Sequence, residues 1–458
     1  MKEIEIGIAC NNNSHPYIRN LINSIEETKS DKYKIKFILG LNKPINVNKI
    51  IDEYPNFNFK LVECYTSGIG SKDHGKCIDL IFKEMSSEYG VITDCDVALL
   101  EKNWDELLIN QLNDKNIIIG SEYRCDKYLN FPNVIFCLFN IEKMKKINVN
   151  FKAPLTHITI DESNKNIFGR EVGDRIFLDT AGYLPRYVKE SGYNGIPLRM
   201  VKENEKESVF MIPGLRGEEF QLNGVPICTH IGRSSERDFN SNKIISKWLG
   251  RISSYRKENG MKKITNILQN TTHKNDYKST TTYKFKKDLI RVLLNKNFNG
   301  NILEVGSNCG HTSVVLAAVA EYLKKKFFAY EYNSNLIKKS VQLSKQLNVA
   351  STFIQKDVYK EDWNDVENIG FVFIDCVHTE KCFTKDLENA FSLVGPKGLV
   401  VAHDYGLETL SGDRIKNVLE NNPNYKITQY LGEEKDWNKN GSGKAIDWEG
   451  VLIEKKLK

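Results

Sequence analysis

The chain has 458 residues, of which 40% are hydrophobic and 27% charged, and a formal net charge of +6. That length favours two or three domains and that composition supports packed cores. So small a charge excess does not indicate a nucleic-acid binder and leaves at most a modest preference for anionic ligands. Ten cysteines are scattered without CxxC spacing, which argues against a zinc knuckle or a redox motif; many lie in apolar runs, which fits a reducing compartment. The N-terminal MKEIEIGIAC has no signal-peptide apolar region, and no apolar stretch approaches the roughly 20 residues that cross a bilayer. A cytoplasmic protein without membrane insertion is the expectation.

In chain order, IEIGIAC reads as a strand and HPYIRNLINSIEETK as a helix, with Ile18, Leu21, Ile22 and Ile25 at i, i+3, i+4 and i+7. KIKFILGLN and FKLVECYT are further strands. DHGKCIDLIFKEMSS is a second helix, with Ile78, Ile81, Phe82 and Met85 on one face, and YGVITDCD a strand ending in two acids. Strands alternating with helices imply a mainly parallel sheet with ligands at the carboxyl ends of the strands. Helical pattern returns at NSNKIISKWLGRISSYRKENG, and the polar, aperiodic QNTTHKNDYKSTTTYK reads as a linker. A second strand–helix pattern starts at FKKDLIRVLLNK. The expected domains are 1–255 and 283–458, joined by a helical and polar linker over 256–282. The halves share a class and no motif, so there is no internal repeat.

In the first half, Asp94 and Asp96 alternate on an extended chain and so point to one side of a strand end. Two such carboxylates make an oxygen site for a divalent cation, which typically completes its shell with substrate phosphates. As isolated features they are equally loop acids capping the next helix. Upstream, SGIGSKDHGKCIDLIF puts a Gly-rich, Lys- and His-bearing loop before a helix, offering amide N–H groups and positive charge to an anion. Downstream, VPICTHIGRSS ends a short strand in His230, beside Gly232 and Arg233. His230 is a candidate third ligand, or a partly buried structural histidine.

These stretches together, roughly residues 4 to 235, resemble glycosyltransferases of the GT-A fold. The resemblance implies that Asp94 and Asp96 are the D-x-D pair, that His230 is a late metal ligand, and that Mn²⁺ or Mg²⁺ bridges the diphosphate of a nucleotide sugar. It also implies an acceptor base within FGREVGDRIFLDTAGY: Asp174 first, with Asp179 close behind, although Gly173-Asp174-Arg175 equally reads as a helix cap. Nucleotide preference would lie in Asn11 to His15.

In the second half, NGNILEVGSNCGHTSVVLAAVAEYL is an apolar strand, a glycine turn and an apolar helix, a geometry suited to close ligand approach. KFFAYEYNSNL then ends a strand in Glu331, where an acid can hold ribose hydroxyls. Later strands end in Asp357, Asp375 and His403-Asp404. Four successive strand ends carrying acids make an active-site rim. This half resembles class I S-adenosylmethionine-dependent methyltransferases, in particular small-molecule O-methyltransferases, through Ile374-Asp375-Cys376-Val377-His378, Asp386, Gly395-Pro396-Lys397-Gly398 and His403-Asp404-Tyr405. The resemblance implies a Rossmann-like domain binding S-adenosylmethionine through Glu304, Gly306, Ser307, Asn308 and Gly310 at the turn, Glu331 at the ribose, Asp357 at the adenine edge, and Asp375. It offers His378 or His403 as the base. Asp375 and Asp404, with His403, are candidates for a further divalent metal. The C-terminal EEKDWNKNGSGKAIDWEGVLI reads as a hairpin whose Trp437 and Trp448 either stack on a sugar or complete the core.

The combined expectation is an α/β chain, a GT-A nucleotide-diphospho-sugar transferase domain followed by a methyltransferase domain. It would add a sugar to a glycan acceptor and O-methylate a sugar hydroxyl. Two alternatives remain: one half alone is catalytic, or a protein or RNA methyltransferase carries an N-terminal recognition domain.

Overall fold

The computed structural model describes the chain except for residues 1, 11–13, 43–46, 65–69, 124–126, 202–207, 209, 211–216, 233–242, 272–280, 377–378, 396–397, 407–409, 433–447 and 457–458. The chain divides into two compact units, Met1–Arg256 and Lys257–Lys458.

The first unit contains, in order, β1 (Lys2–Cys10), α1 (His15–Thr28), β2 (Tyr33–Leu41), α2 (Asn48–Glu53), β3 (Asn58–Glu63), α3 (Ser71–Glu84), β4 (Tyr89–Thr93), β5 (Val97–Leu99) and α4 (Trp104–Ile109). It continues through β6 (Asn116–Glu122), β7 (Pro132–Asn140), α5 (Ile141–Lys146), β8 (Thr156–Thr159), α6 (Lys165–Phe168), β9 (Arg175–Leu178), α7 (Leu184–Glu190), β10 (Asn194–Met200), β11 (Glu218–Leu222), β12 (Val225–His230) and the start of α8 (Lys243–Asn270). Among the described residues its large sheet runs β3-β2-β1-β4-β7-β6-β10-β11-β12-β5, and β8 and β9 form a separate hairpin.

Strand alternation fills both faces of this sheet. Phe37 and Leu39 of β2 pack with the α1 residues Ile18, Leu21, Ile22 and Ile25, while Ile38 faces the α3 residues Ile78, Ile81 and Phe82. The sheet is less parallel than the alternation of elements predicts. β3, β2, β1 and β4 are parallel, but β7 runs antiparallel to β4 and β6, and β11, β12 and β5 are joined antiparallel. β6 with β7 and β11 with β12 are successive strands, and antiparallel neighbours need only a short connection; β4 with β7 and β5 with β12 meet across longer stretches of chain.

The second unit holds the rest of α8, then α9 (Tyr283–Asn295), β13 (Asn301–Val305), α10 (Ser313–Tyr322), β14 (Phe327–Glu331), α11 (Ser334–Gln346), β15 (Thr352–Gln355) and β16 (Ile369–Ile374). It ends with α12 (Glu380–Leu393), β17 (Leu399–His403), α13 (Leu410–Asn421), β18 (Tyr425–Leu431) and β19 (Gly450–Lys455). Its sheet runs β15-β14-β13-β16-β17-β19-β18, with β19 antiparallel to β17 and β18. β18 and β19 are the arms of a C-terminal hairpin, and its tip, including Trp437, lies outside the described residues. The stretch expected as a linker, 256–282, contributes to this unit's core: α8 continues to Asn270 and buries Ile264, Ile267 and Leu268. Their helical spacing was hidden among the lysines and asparagines around them.

Asp105, in the first turn of α4, is fully buried and holds the end of α1 in place. Its carboxylate accepts from Ser30 N at 3.0 and 3.1 Å and from Ser30 Oγ at 2.8 Å. Asp105→Ala leaves the Ser30 amide without an acceptor and is expected to cost about 2–3 kcal/mol. A lower denaturation midpoint with an unchanged m value checks it.

Candidate active sites

In the first unit, three chain segments meet at one point. β4 ends at Thr93, and Asp94 N still bonds to Ile135 O at 2.9 Å, extending the pairing with β7. The chain then turns at Cys95-Asp96 and re-enters the sheet as β5, so the two carboxylates converge through a turn rather than by alternation on an extended strand. β12 lies against β5 with His230 opposite Val97, and Ile231 N bonds to Asp96 O. Consequently His230 Nε2 lies 3.3 Å from Asp96 Oδ1 and 4.0 Å from Asp94 Oδ2. One ligand atom from each of Asp94, Asp96 and His230 falls within 4.8 Å of the others.

Two partners that the sequence did not single out complete this cluster. Glu218 of β11, directly opposite His230 in the ladder, places Oε2 2.9 Å from His230 Nδ1. A carboxylate on one imidazole nitrogen leaves the other aimed at the acids, the arrangement that orients metal-binding histidines. His74, in the first turn of α3, lies 3.3 Å from Asp94 Oδ1. Its DHGK context was the available signal; nothing local marks Glu218. Burial pushes the Asp94 carboxyl up to about 6, with Asp96 adding to the rise and His74 and His230 opposing it. A cation would relieve both burial and like-charge repulsion, so the donor set fits a divalent metal.

The two acids expected near the acceptor part company. Asp174 is exposed at the start of β9, its backbone paired with Ile160. Asp179 follows the other end of β9 and is close enough to Asp94 to help raise its pKa. Lys127 Nζ lies 2.7 Å from Asp179 Oδ2, and Thr180 N donates to Oδ1 at 2.8 Å. Burial works against the Asp179 carboxylate, but the Lys127 and Ser71 hydrogen bonds outweigh it and hold the group below the usual range. The geometry therefore places Asp179, and not Asp174, beside the acid cluster. Asn11–Asn13 and Arg233 lie outside the described residues.

In the second unit, Gly306 adopts φ +93°, and a Cβ there would meet Asp375 O at 2.0 Å. Only glycine permits both the left-handed turn and the approach of β16. Gly306 N and Ser307 N both donate to Tyr330 O, at 3.0 and 3.2 Å, folding the turn over β14. Asn308 N and Asn333 N donate to the two oxygens of Glu331 at 2.8 and 2.9 Å. A cavity of about 550 Å³ opens here, lined among others by Gly306, Asn308, Glu331, Asp357 and Asp375. Gly310 packs under the turn against Ser340. Ser307 Oγ is buried and has no hydrogen-bond partner among the described residues. Burial pushes Glu304 up to about 8; a hydrogen bond from Ser313 and the charge of Lys286 oppose the rise, and Asp375 and Glu331 add to it. An unmatched buried hydroxyl at a glycine turn fits a ligand that brings its own polar groups.

His403 is different from the base expected of it. It is fully buried at the end of β17. Its Nδ1 lies 3.0 Å from Asp375 Oδ1 and 2.9 Å from Asp404 Oδ1, and its Nε2 lies 3.1 Å from Glu449 Oε1. Burial disfavours the charged imidazole, but Asp375 and Asp404 raise its pKa well above the usual range. With both nitrogens engaged by carboxylates, His403 has no lone pair directed at an acceptor. Asp375, His403 and Asp404 each bring one ligand atom within 4.8 Å of the others. Glu449, beside β19, was missed because only the β17–β19 pairing brings it here. The other candidate base, His378, lies outside the described residues. Trp448 is part-exposed, its ring 6.0 Å from Tyr430, whose own ring is 5.7 Å from Tyr405.

Comparison with known proteins bears on the second unit. Residues 303–405 match the family model described as a methyltransferase domain. No curated protein matches the chain. Solved structures resemble parts of it at low scores. SAH-bound methyltransferase PaMTH1 from Podospora anserina is 13% identical over 48% of this chain and 98% of its own, with a TM-score of 0.31. The ribosomal protein L11 methylase from Lactobacillus delbrueckii subsp. bulgaricus is 13% identical over 38% and 77%, with a TM-score of 0.29. Mannosyltransferase PcManGT from Pyrobaculum calidifontis, in complex with GDP-Man and Mn²⁺, is 13% identical over 42% of this chain and 54% of its own, with a TM-score of 0.30.

Two outcomes are expected. Gly306→Ala should weaken S-adenosylmethionine binding at least about tenfold, since the added methyl displaces the turn or β16; isothermal titration measures it. Because the folded chain holds the Glu304 proton more tightly than the unfolded chain, stability should fall as pH rises from about 4.5 through about 8. Glu304→Gln should flatten that part of the Tm–pH profile. The glycine turn with its cavity, and the family match across it, lead to one conclusion: the C-terminal unit carries a Rossmann-like methyltransferase domain.

Proposed function

We propose that the chain is a bifunctional glycan-modifying enzyme, a metal-dependent sugar transferase followed by an S-adenosylmethionine-dependent O-methyltransferase. The observation that carries the first activity is the convergence of Asp94, Asp96 and Glu218-braced His230 at the carboxyl end of the first sheet. A divalent ion held by these residues supplies charge stabilisation to a departing nucleoside diphosphate. Glu218 holds the His230 ring so that Nε2 faces the acids. His74 faces Asp94 from the opposite helix. Asp179, kept ionised by Lys127, is the acid available to an acceptor or sugar hydroxyl.

The second activity rests on the methyltransferase domain. S-adenosylmethionine bound there supplies the methyl group. Gly306, Ser307 and Asn308 would receive it at the turn, Glu331 would take the ribose and Asp357 the adenine edge, with Asp375 closing the cavity. Asp375 and Asp404 are assigned to a second divalent ion at the acceptor hydroxyl, with His403 as the buried group that holds both carboxylates rather than as a free base. On this reading the acceptor is a glycan, and the two steps follow one another on it. Covalent linkage of the two units would raise the local concentration of the intermediate at the second site.

A second reading is favoured by one finding. The family match lies within the second unit, which suits a methyltransferase whose first unit only recognises a sugar or nucleotide sugar.

The test is a panel of UDP-, GDP- and dTDP-sugars assayed for nucleotide release with Mn²⁺ or Mg²⁺, beside methyl transfer from radiolabelled S-adenosylmethionine. Chelation should abolish both activities and Mn²⁺ should restore both. Asp94→Ala should lower sugar-nucleotide cleavage by at least about a hundredfold and leave methylation of a pre-glycosylated acceptor intact, while Asp404→Ala should do the reverse. Methylation alone, with no donor cleaved, supports recognition by the first unit. Methylation that survives chelation removes the second ion from the proposal.

A further inference from the structure

Although no two cysteines are close in sequence, the thiols of Cys64 and Cys77 lie 2.8 Å apart. Two unbonded sulfurs ordinarily pack farther apart, and a disulfide bond of roughly 2.05 Å needs only a small further approach. Cys64 follows the end of β3, and Cys77 sits in the second turn of α3. The space for Cys77 is provided by Gly40 of β2, where an added Cβ would meet Cys77 Sγ at 2.5 Å.

The surroundings are as specific as the pair. Cys64 lines a cavity of about 680 Å³ whose wall also carries Lys76, Lys83, Lys145 and Lys152. The acid in that wall, Asp79, is turned to the backbone, its Oδ1 accepting from Phe151 N at 2.6 Å. The cavity thus presents a lysine-rich wall, with Lys76 also 3.8 Å from Asp73, and Cys64 is one of its lining residues. Hydrogen bonding from Cys77 favours the Cys64 thiolate and holds Cys77 protonated, the division between an attacking and a resolving thiol.

We propose that Cys64 and Cys77 form a dithiol modification site, oxidised to an intramolecular disulfide by an anionic small-molecule disulfide admitted through the lysine-lined cavity. In the first exchange the Cys64 thiolate bonds to one sulfur of the incoming disulfide, and the other half leaves as a thiolate. In the second, Cys77 gives its proton to solvent and bonds to Cys64 Sγ, expelling the first half as a second thiolate. The protein loses two electrons and two protons, and the small disulfide is reduced to two thiols. The bond would bridge residues 64 and 77, between which lie Ser71 and His74 of the first α3 turn. The proposal stands apart from the sugar-transfer reading and its test uses no activity.

The full chain is incubated with oxidised glutathione, denatured, alkylated and mapped by peptide mass spectrometry. The expected result is loss of two alkylatable thiols and a cross-linked peptide joining residues 64 and 77. Cys77→Ser should accumulate a glutathione mixed disulfide on Cys64, and Cys64→Ser should give neither product. Combined Lys76→Gln, Lys83→Gln and Lys152→Gln should slow oxidation by glutathione disulfide about tenfold and leave oxidation by neutral hydroxyethyl disulfide unchanged. Full alkylation of Cys64 and Cys77 in the unsubstituted chain after oxidant overturns the proposal, and that measurement depends on no variant folding. Equal slowing of both oxidants overturns the role given to the cavity.

Discussion

The pairing of β12 with β5 is the contact on which the first site depends. Three residue pairs, Cys228 with Leu99, Thr229 with Ala98 and His230 with Val97, bring the end of one unit's sequence beside acids far earlier in it. A slip of one residue would turn His230 to the opposite face of the sheet and break the cluster. The same ladder sets Glu218 opposite His230, so a single register positions both the imidazole and the carboxylate that orients it.

The second unit uses the same device. A parallel core of β15, β14, β13, β16 and β17 delivers acids and glycines to one edge, and the antiparallel strand β19 then brings Glu449 under His403. In both units a histidine at a strand end is held between an inner carboxylate and a pair of aspartates. Such buried acids are costly unless paired. Their partners here are the strand-end imidazoles, the His74 ring of α3 and, for Glu449, the Thr282 amide at the start of α9, so charge compensation depends on the assembled fold.

The glycine turn and the thiol pair show how packing sets chemistry. Gly306 lets the chain pass within contact of Asp375 O, which places the glycine turn, Glu331, Asp357 and Asp375 around one cavity. Gly40 lets α3 settle onto β2 closely enough to seat a sulfur beside Cys64. Each is a loss of one side chain that admits another group, and neither partner is adjacent in sequence.

Much of the architecture was legible from periodicity. The apolar spacing of Ile18, Leu21, Ile22 and Ile25, and the runs ending in Asp94, Glu331 and Asp375, follow from local alternation alone. So did the acids themselves, because strand ends at ligand sites carry polar groups just beyond an apolar run. What periodicity does not contain is which strands meet. The transferase resemblance put Asp174 ahead of Asp179, but both flank β9 and only the fold turns one end toward Asp94. The methyltransferase resemblance offered His403 beside His378 as a base, although three carboxylates from separate segments surround His403. Periodicity did not find Glu218, His74 or Glu449, and it separated Cys64 from Cys77. Residue types and local elements are short-range properties of the chain. Site membership is decided by long-range strand register and by the electrostatic cost of burying acids together, which exist only once the sheets have formed.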